Sequence, residues 1–363
     1  MKNKILSILF VATIFLIMIL GILIPDKEVS ISERRRLTRF PKIEIATIMN
    51  GNFFEDMNNY LVEQFPLRDY FRKIKGIGSK HVFQKKEENG IFIKDDAIYQ
   101  LNSLLDEKSI NHFINLLNKI QTNYIKTEHV YYAIIPDKMY YLNDGSIPKL
   151  DYDKLRLLLN NGLTNMNYID LFDTLDLDSY YRTDIHWKQE ELEKVVAKMQ
   201  MQMNLESAII PTEEKIYSSF YGALYGRVAN NLKQDILTYL TNFEIENTTV
   251  WDYEKQNLRK VYEEADLYHI DSYDIFLGGA KPFLVLENSN QKNGKELVLF
   301  RDSFGSSIAP LLVSNYSKIT LIDLRYFSSN MLDKIEEIEF KKENQDILFL
   351  YSVPIINSSF TLK

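Results

Sequence analysis

Positions 5–24, ILSILFVATIFLIMILGILI, are apolar with only Ser7 and Thr13 as polar interruptions. That is about the helical length that crosses a hydrocarbon core of roughly 30 Å. The run ends at Ile24-Pro25 without a small-residue cleavage pattern, so it predicts an uncleaved anchor in preference to a signal peptide. Lys2 and Lys4 before it favour a cytoplasmic N-terminus with the rest of the chain outside, while Arg34, Arg35, Arg36 and Arg39 just beyond it weigh the other way.

Residues 1–25 are therefore read as a transmembrane anchor. Residues 26–52, polar, charged and broken by Pro41, are read as an extracytoplasmic stalk, and 53–363 as the folded domain. FFEDMNNYLVEQF and PLRDYFRKIKGIG carry apolar residues at helical spacing, and NGIFIKDDAIYQL predicts two short strands. From about residue 107 the pattern alternates. Amphipathic SINHFINLLNKIQTNYI precedes the β-rich run HVYYAIIP, YDKLRLLLNNGL precedes NYIDLFDTL, and KQEELEKVVAKMQMQM is a further helix. After a tyrosine-rich stretch, about 205–280, that follows no single period and predicts an insertion with hairpins, the alternation resumes. The strands there are KELVLFRDS, KITLIDLRYF and DILFLYSV, separated by helices over SSIAPLLVSNY and NMLDKIEEIEFKK. Such alternation predicts an α/β fold with a mostly parallel sheet flanked by helices.

Composition narrows the chemistry. With 363 residues and 45% hydrophobic content, one large core is affordable. Lys and Arg (43) are scattered among 50 Asp and Glu, giving a net charge of −7 and no basic stripe, so nucleic acid is not an expected partner. The absence of cysteine excludes disulfides, thiolate metal sites and a cysteine nucleophile. None of the five histidines has a second at ligand spacing, so no metal and no cofactor is expected; His81, His112, His129 and His269 read as surface or packing residues.

Two short stretches could carry chemistry. In KELVLFRDSFGSSIAP an apolar strand ends at Arg301-Asp302-Ser303, and a serine at a strand-to-helix junction can sit beside free backbone N–H groups able to hold an oxyanion. Equally, Asp302 or Ser303 could simply cap the helix. In YYRTDIHW, Asp184 and His186 are alternate residues that fall on one side of an extended segment. The aspartate could orient the imidazole for proton transfer from a serine, or the segment could be a helix cap beside an ordinary histidine. Together the two stretches suggest a triad. The serine block, with its strands, follows the Asp/His block, in the element order of an SGNH-type esterase cut and rejoined.

The ordered set SERRRLTRFP, EQFPLRDYFRKIK, NGIFI, IIPDKMYYLNDGSIPKL, YYRTDIHW, FYGALYGRV, IFLGGAKPFLVLENSN, FRDSFGSSIAPLLVSNYSKITLIDLRYF and DILFLYSV resembles the DHHW proteins. More distantly it is similar to the alginate O-acetyltransferases of the AlgX and AlgJ type, which have a circularly permuted SGNH hydrolase-like (flavodoxin-like) domain. The chain departs from the pattern at Ile185, where DHHW proteins have a first histidine. It departs again at Arg301, where glycine is usual, and at Tyr351-Ser352, where asparagine is usual. The resemblance implies an extracytoplasmic O-acetyltransferase working through an acetyl-serine: Ser303 the nucleophile, His186 the base and Asp184 its partner. The oxyanion would be held by the Ser303 N–H and a second donor near Gly279 or Ser352, with Tyr351 beside it. Arg182, Arg227 and Arg325 could contact substrate or serve structural ion pairs. Trp187, Tyr221, Tyr225 and Trp251 could stack on sugar rings or pack in the core. A polysaccharide acceptor and a membrane-bound acyltransferase of the MBOAT kind, delivering acetyl groups, are the implied partners. An acetylesterase using the same residues, or a polysaccharide-binding export scaffold with a vestigial triad, are the alternatives.

Overall fold

The computed structural model describes residues 2–30, 33, 35–81, 90–206, 213–228 and 232–363, without the side chains of 2, 3 and 76–81. Arg34 and the stretch 207–212 of the expected insertion lie outside the described residues. The contacts divide the chain elsewhere than at the expected boundary of 53: Met1–Asn89 with Tyr225–Leu232 form one compact unit, and Gly90–Leu224 with Lys233–Lys363 the other.

In the first unit, α1 (Lys2–Leu23) is the apolar run. The segment expected to be a plain stalk instead contains a short antiparallel pairing, Val29–Ser30 with Arg35–Arg36, and a turn of helix at Ile45–Met49. Helices α2 (Asn52–Glu63) and α3 (Arg68–His81) follow. They fall where the apolar spacing of the sequence places them.

The second unit is a sandwich of helices about one sheet. In chain order it contains α4 (Glu107–Tyr124), β1 (Val130–Ile135), α5 (Tyr152–Gly162), β2 (Asn167–Asp170) and α6 (Glu193–Gln202). Then come β3 (Thr249–Asp252), β4 (Asn257–Lys260), β5 (Phe283–Glu287), β6 (Glu296–Arg301), α7 (Gly305–Ile308), β7 (Lys318–Ile322) and β8 (Gln345–Ser352). The sheet order is β4-β3-β5-β7-β6-β8-β1-β2. β7-β6-β8-β1-β2 are parallel, and β5, β3 and β4 extend the sheet through antiparallel pairings.

Both faces of the sheet are covered, which explains why its strands read as unbroken apolar runs. On β6, Leu297 and Leu299 point into one core layer while Val298 and Phe300 point into the other. The N-cap of α4 is Asp106, whose carboxylate accepts from the Lys108 and Ser109 N–H groups at 3.0 and 3.1 Å; losing such a cap typically costs about 1 kcal/mol.

Three expectations need correction. The stretch 205–280 is only partly an insertion: Glu213–Phe220 and Asp235–Thr241 form a separate hairpin, but β3 and β4 join the main sheet. The helix expected over 306–316 is a single turn, α7, followed by a 3-10 turn at Ala309–Leu312, where Pro310 removes a backbone donor. The helix expected over 330–342 is a succession of turns after a 3-10 turn at Ser329–Met331. Its apolar residues Leu332, Ile335 and Ile338 pack on the core. A spacing of three serves successive turns as well as it serves a helix.

Candidate active site

Ligands in open α/β sheets bind beyond the carboxyl ends of the parallel strands, where the strand order reverses. Here β6 lies between β7 and β8, its two successors in the chain, so the reversal falls at β6, and Ser303 stands two residues past its end. Asp302 fixes that turn. Its Oδ1 accepts from the Phe304 N–H at 3.0 Å, and its Oδ2 accepts from the Ser352 N–H and Oγ at 2.8 and 2.6 Å, tying the serine turn to the end of β8.

Asp184 and His186 lie after β2, in a tight loop. A bridge between Tyr180 and Trp187 and bonds from Tyr181 N–H to the His186 carbonyl and Lys188 N–H to the Ser179 carbonyl close its base. The two side chains meet because the loop turns, and not because the segment is extended. Asp184 Oδ1 accepts from both the His186 N–H (3.0 Å) and Nδ1 (2.6 Å), and Oδ2 accepts from the Ala223 N–H (2.6 Å). His186 Nε2 lies 2.8 Å from Ser303 Oγ. The order Asp184–His186–Ser303 is thus continuous, and Asp184 is fully buried. Such a chain can fix the imidazole tautomer that accepts a hydroxyl proton and stabilise the imidazolium formed.

Several contributors gave no signal in the sequence. Tyr273 stacks on the imidazole of His186, ring centroids 4.1 Å apart and planes 13° from parallel, and Phe304 lies against the same ring at 4.7 Å. The Tyr273 hydroxyl is 3.0 Å from Ser307 Oγ, which also accepts from Trp187 Nε1 at 2.7 Å. Burial pushes the Tyr273 phenol far above its ordinary range, keeping the ring neutral beside the histidine. Lys138, at the end of β1, is buried with its ammonium donating to the carbonyls of Ile98 (2.7 Å), Tyr181 (2.8 Å) and Arg182 (3.4 Å), so it holds the entry to the Asp-His loop.

Burial lowers the Lys138 pKa from 10.5 to about 8, partly offset by Asp184 and Asp235. The unfolded chain then binds more protons than the folded one between about pH 8 and 10.5, so folding stability rises with pH across that window. Lys138→Met lacks this term. Urea melts of the two proteins at pH 7, 8, 9 and 10 should therefore show the wild type gaining on the variant above pH 8, by at most about 1.4 kcal/mol per pH unit; a constant difference would remove Lys138 as the source.

Among the other expected site residues, the structure gives most a different occupation. Ser352 spends both its N–H and hydroxyl on Asp302, and the Gly279 N–H donates to the Phe276 carbonyl at 3.4 Å, so neither is an open oxyanion donor. The Ser303 N–H, by contrast, meets no acceptor among the described residues. Tyr351 is fully buried in the core layer opposite the site, edge-on to Phe113. Trp187 is 0% exposed and cannot stack on a sugar. Arg325 forms a pair with Asp323 (2.6 Å), and Arg182 lies 3.5 Å from Asp235. Arg301, in the place of the usual glycine, is buried 3.5 Å from Asp323, and burial lowers its pKa. Trp251 sits on β3, next to the edge strand β4, in a cavity with Glu287 and Lys318, apart from the triad. Among the described residues no cluster of His, Cys, Asp and Glu could hold a metal.

A small cavity is walled by Ile185 and Phe304, chain neighbours of the triad residues, with Met139, Leu224, Pro354 and the polar Gln100, Asn102, Asp137 and Lys138. Burial raises the Asp137 carboxyl from 3.8 to about 6, against the hydrogen bond it accepts from the Tyr152 hydroxyl at 2.5 Å.

No protein-family model and no curated protein sequence matches the chain. Solved structures do. A DHHW family protein from Eubacterium siraeum superposes with a TM-score of 0.62 at 19% identity, covering 76% of this chain and 94% of that one. Bacillus cereus PatB1, solved with a sulfonyl adduct, gives 0.57 at 17% identity, covering 73% and 95%. The O-acetyltransferase domain of Pseudomonas putida AlgJ is more distant, with a TM-score of 0.42 at 12% identity over 74% and 92% of the two chains. The chain has the fold of the first two, with a mostly parallel sheet flanked by helices.

Proposed function

We propose that this protein is a serine-dependent O-acetyltransferase whose domain lies outside the cytoplasm, anchored by α1, and that it moves acetyl groups onto hydroxyls of an exopolysaccharide or other cell-surface polysaccharide. The observation that carries the reading is the unbroken chain of contacts from Asp184 through His186 to Ser303. The sequence resemblance to the AlgX and AlgJ type supplies the acyl group and the acceptor class. A membrane-bound acyltransferase of the MBOAT kind would supply the donor.

In the first half-reaction Ser303 Oγ attacks the acetyl carbonyl carbon while its proton passes to His186 Nε2. The tetrahedral oxyanion is met by the Ser303 N–H, and collapse breaks the bond to the donor oxygen or sulfur, which leaves with the proton from His186. In the second, a sugar hydroxyl gives its proton to His186 and attacks the acetyl-serine, releasing the sugar ester and the serine hydroxyl. Asp184 stabilises the imidazolium in both, and the face of Tyr273 adds to this, since an aromatic face attracts a cation.

The test offers the full-length protein in nanodiscs an activated acetyl ester with and without hydroxyl-rich oligosaccharides. Acetylated oligosaccharide, absent with Ser303→Ala, is the expected product. Release of acetate alone, unchanged by any sugar, would make the protein an esterase.

A further inference from the structure

The helices that follow α1 turn outward the face that helices normally bury. On α3 and the residue before it, Leu67, Tyr70, Phe71 and Ile74 recur at i, i+3, i+4 and i+7, the spacing of a core-facing stripe. All four are more than half exposed, at 55%, 68%, 51% and 64%. On α2, which buries no residue, Phe54 and Leu61 fall on one stripe with Val62 at its margin, and each is again more than half exposed. Ile43, Ile45 and Met49, just before them, are exposed as well. Soluble surfaces rarely carry so much contiguous apolar area without a partner.

Hydrogen bonds fix the height of this surface relative to α1. The Tyr60 hydroxyl donates to Asp26 at 2.9 Å, the Lys27 N–H donates to Gln64 Oε1 at 3.0 Å, and Gln64 Nε2 donates back to the Lys27 carbonyl at 3.0 Å. Asp26 and Lys27 follow, after Ile24 and Pro25, the stretch Lys4–Leu23 that is long and apolar enough to cross a bilayer. α2 is therefore held where a spanning α1 would leave the membrane. The charge balance agrees: residues 26–75 carry ten Lys and Arg against eight Asp and Glu, the reverse of the chain's overall 43 against 50. An apolar face on a segment with this slight basic excess complements a bilayer surface.

We propose that α2 and α3 lie in the membrane interface, their apolar stripes among the upper acyl chains, so that the bilayer surface itself is the occupant of this face. The inference rests on the reading of α1 as an anchor and is independent of the chemistry at Ser303. Its role would be to hold the first unit against the outer leaflet, restricting the swing that one spanning helix alone would allow.

The chain has no cysteine, so single cysteines can report on this surface cleanly. Leu61→Cys, Phe71→Cys and Ile74→Cys, with Asp56→Cys on the opposite side of α2 as reference, are labelled with an environment-sensitive fluorophore. The full-length protein then goes into nanodiscs of phosphatidylcholine and phosphatidylglycerol. Lipids brominated near the top of the acyl chain should quench positions 61, 71 and 74 several-fold more than position 56. Equal, weak quenching at all four, with the protein retained in the discs, would overturn the interfacial placement while leaving the anchor intact. Protection appearing only when a second membrane protein is added would assign the face to that protein and also overturn it. Loss of the chain from the discs would remove the anchor, and the proposal with it.

Discussion

Replacing Asp184 by Asn should lower acetyl-ester turnover by about four orders of magnitude, the scale on which the wrong imidazole tautomer disables a serine triad. Among the described residues the Asp184 carboxylate takes the backbone and Nδ1 N–H groups of His186 on one oxygen and the Ala223 N–H on the other. An asparagine must present its NH2 to one of those sides. Facing His186, it forces Nδ1 to become the acceptor and places the ring proton on Nε2, where the serine proton has to go. Facing Ala223, it sets donor against donor in a buried site. Turnover should collapse in either orientation while Ser303 remains in place, and the residual rate should stand roughly tens of times above that of Ser303→Ala, because loss of the orienting aspartate costs such a triad less than loss of its nucleophile. Near-wild-type turnover by Asp184→Asn would mean that His186 is not oriented by this residue.

Gly222→Ala should damage both stability and turnover from a position that touches no substrate. A Cβ there would overlap the Cβ, Cα and backbone nitrogen of Asp184, so the obstacle is backbone and cannot swing aside. The Gly222 N–H also donates to Thr183 Oγ1 at 2.9 Å, and Thr183 in turn donates to Asp235. Either the Asp-His loop or the strand of chain at 222–223 must move, and both carry hydrogen bonds to the carboxylate. We expect a loss of at least about 2 kcal/mol of stability, typical of overpacking in a tight site, and turnover reduced about a hundredfold or more in the protein that still folds, the scale of a displacement near 1 Å. Urea melts and ester turnover measure the two effects, and an alanine variant with normal turnover would show that the close approach is not needed.

How far the sequence led differs by element. β1, β6, β7 and β8 were legible because strands buried on both faces read as continuous apolar runs, and α4 because its apolar period is helical. Ser303 stood out because it lies at the end of such a run, and Asp184 and His186 because they are alternate residues in a short polar stretch; their juxtaposition depends on β8 pairing with β1, a contact spanning more than two hundred residues. What stayed hidden depends on tertiary partners. Tyr273 is one of 23 tyrosines and nothing local marks it as the one beneath His186. Lys138 reads as a solvated cation until its three carbonyl partners are seen. Trp187 was a plausible sugar platform and is instead a core residue bonded to Ser307. Ser352 was a plausible oxyanion donor, but its polar groups serve Asp302. The edge strand β4 and its neighbour β3 were obscured because each is only four residues long and pairs antiparallel, so neither makes a long apolar run.

The central claim is that Ser303 forms the covalent ester. The direct measurement is the intact mass and peptide map of the full-length protein quenched during turnover of an activated acetyl ester. The account predicts one acetyl group on the peptide containing Ser303, lost when a hydroxyl acceptor is added, and absent in Ser303→Ala and His186→Ala. Turnover that continues unchanged in Ser303→Ala, with no acetyl group on that peptide in the wild type, would contradict it.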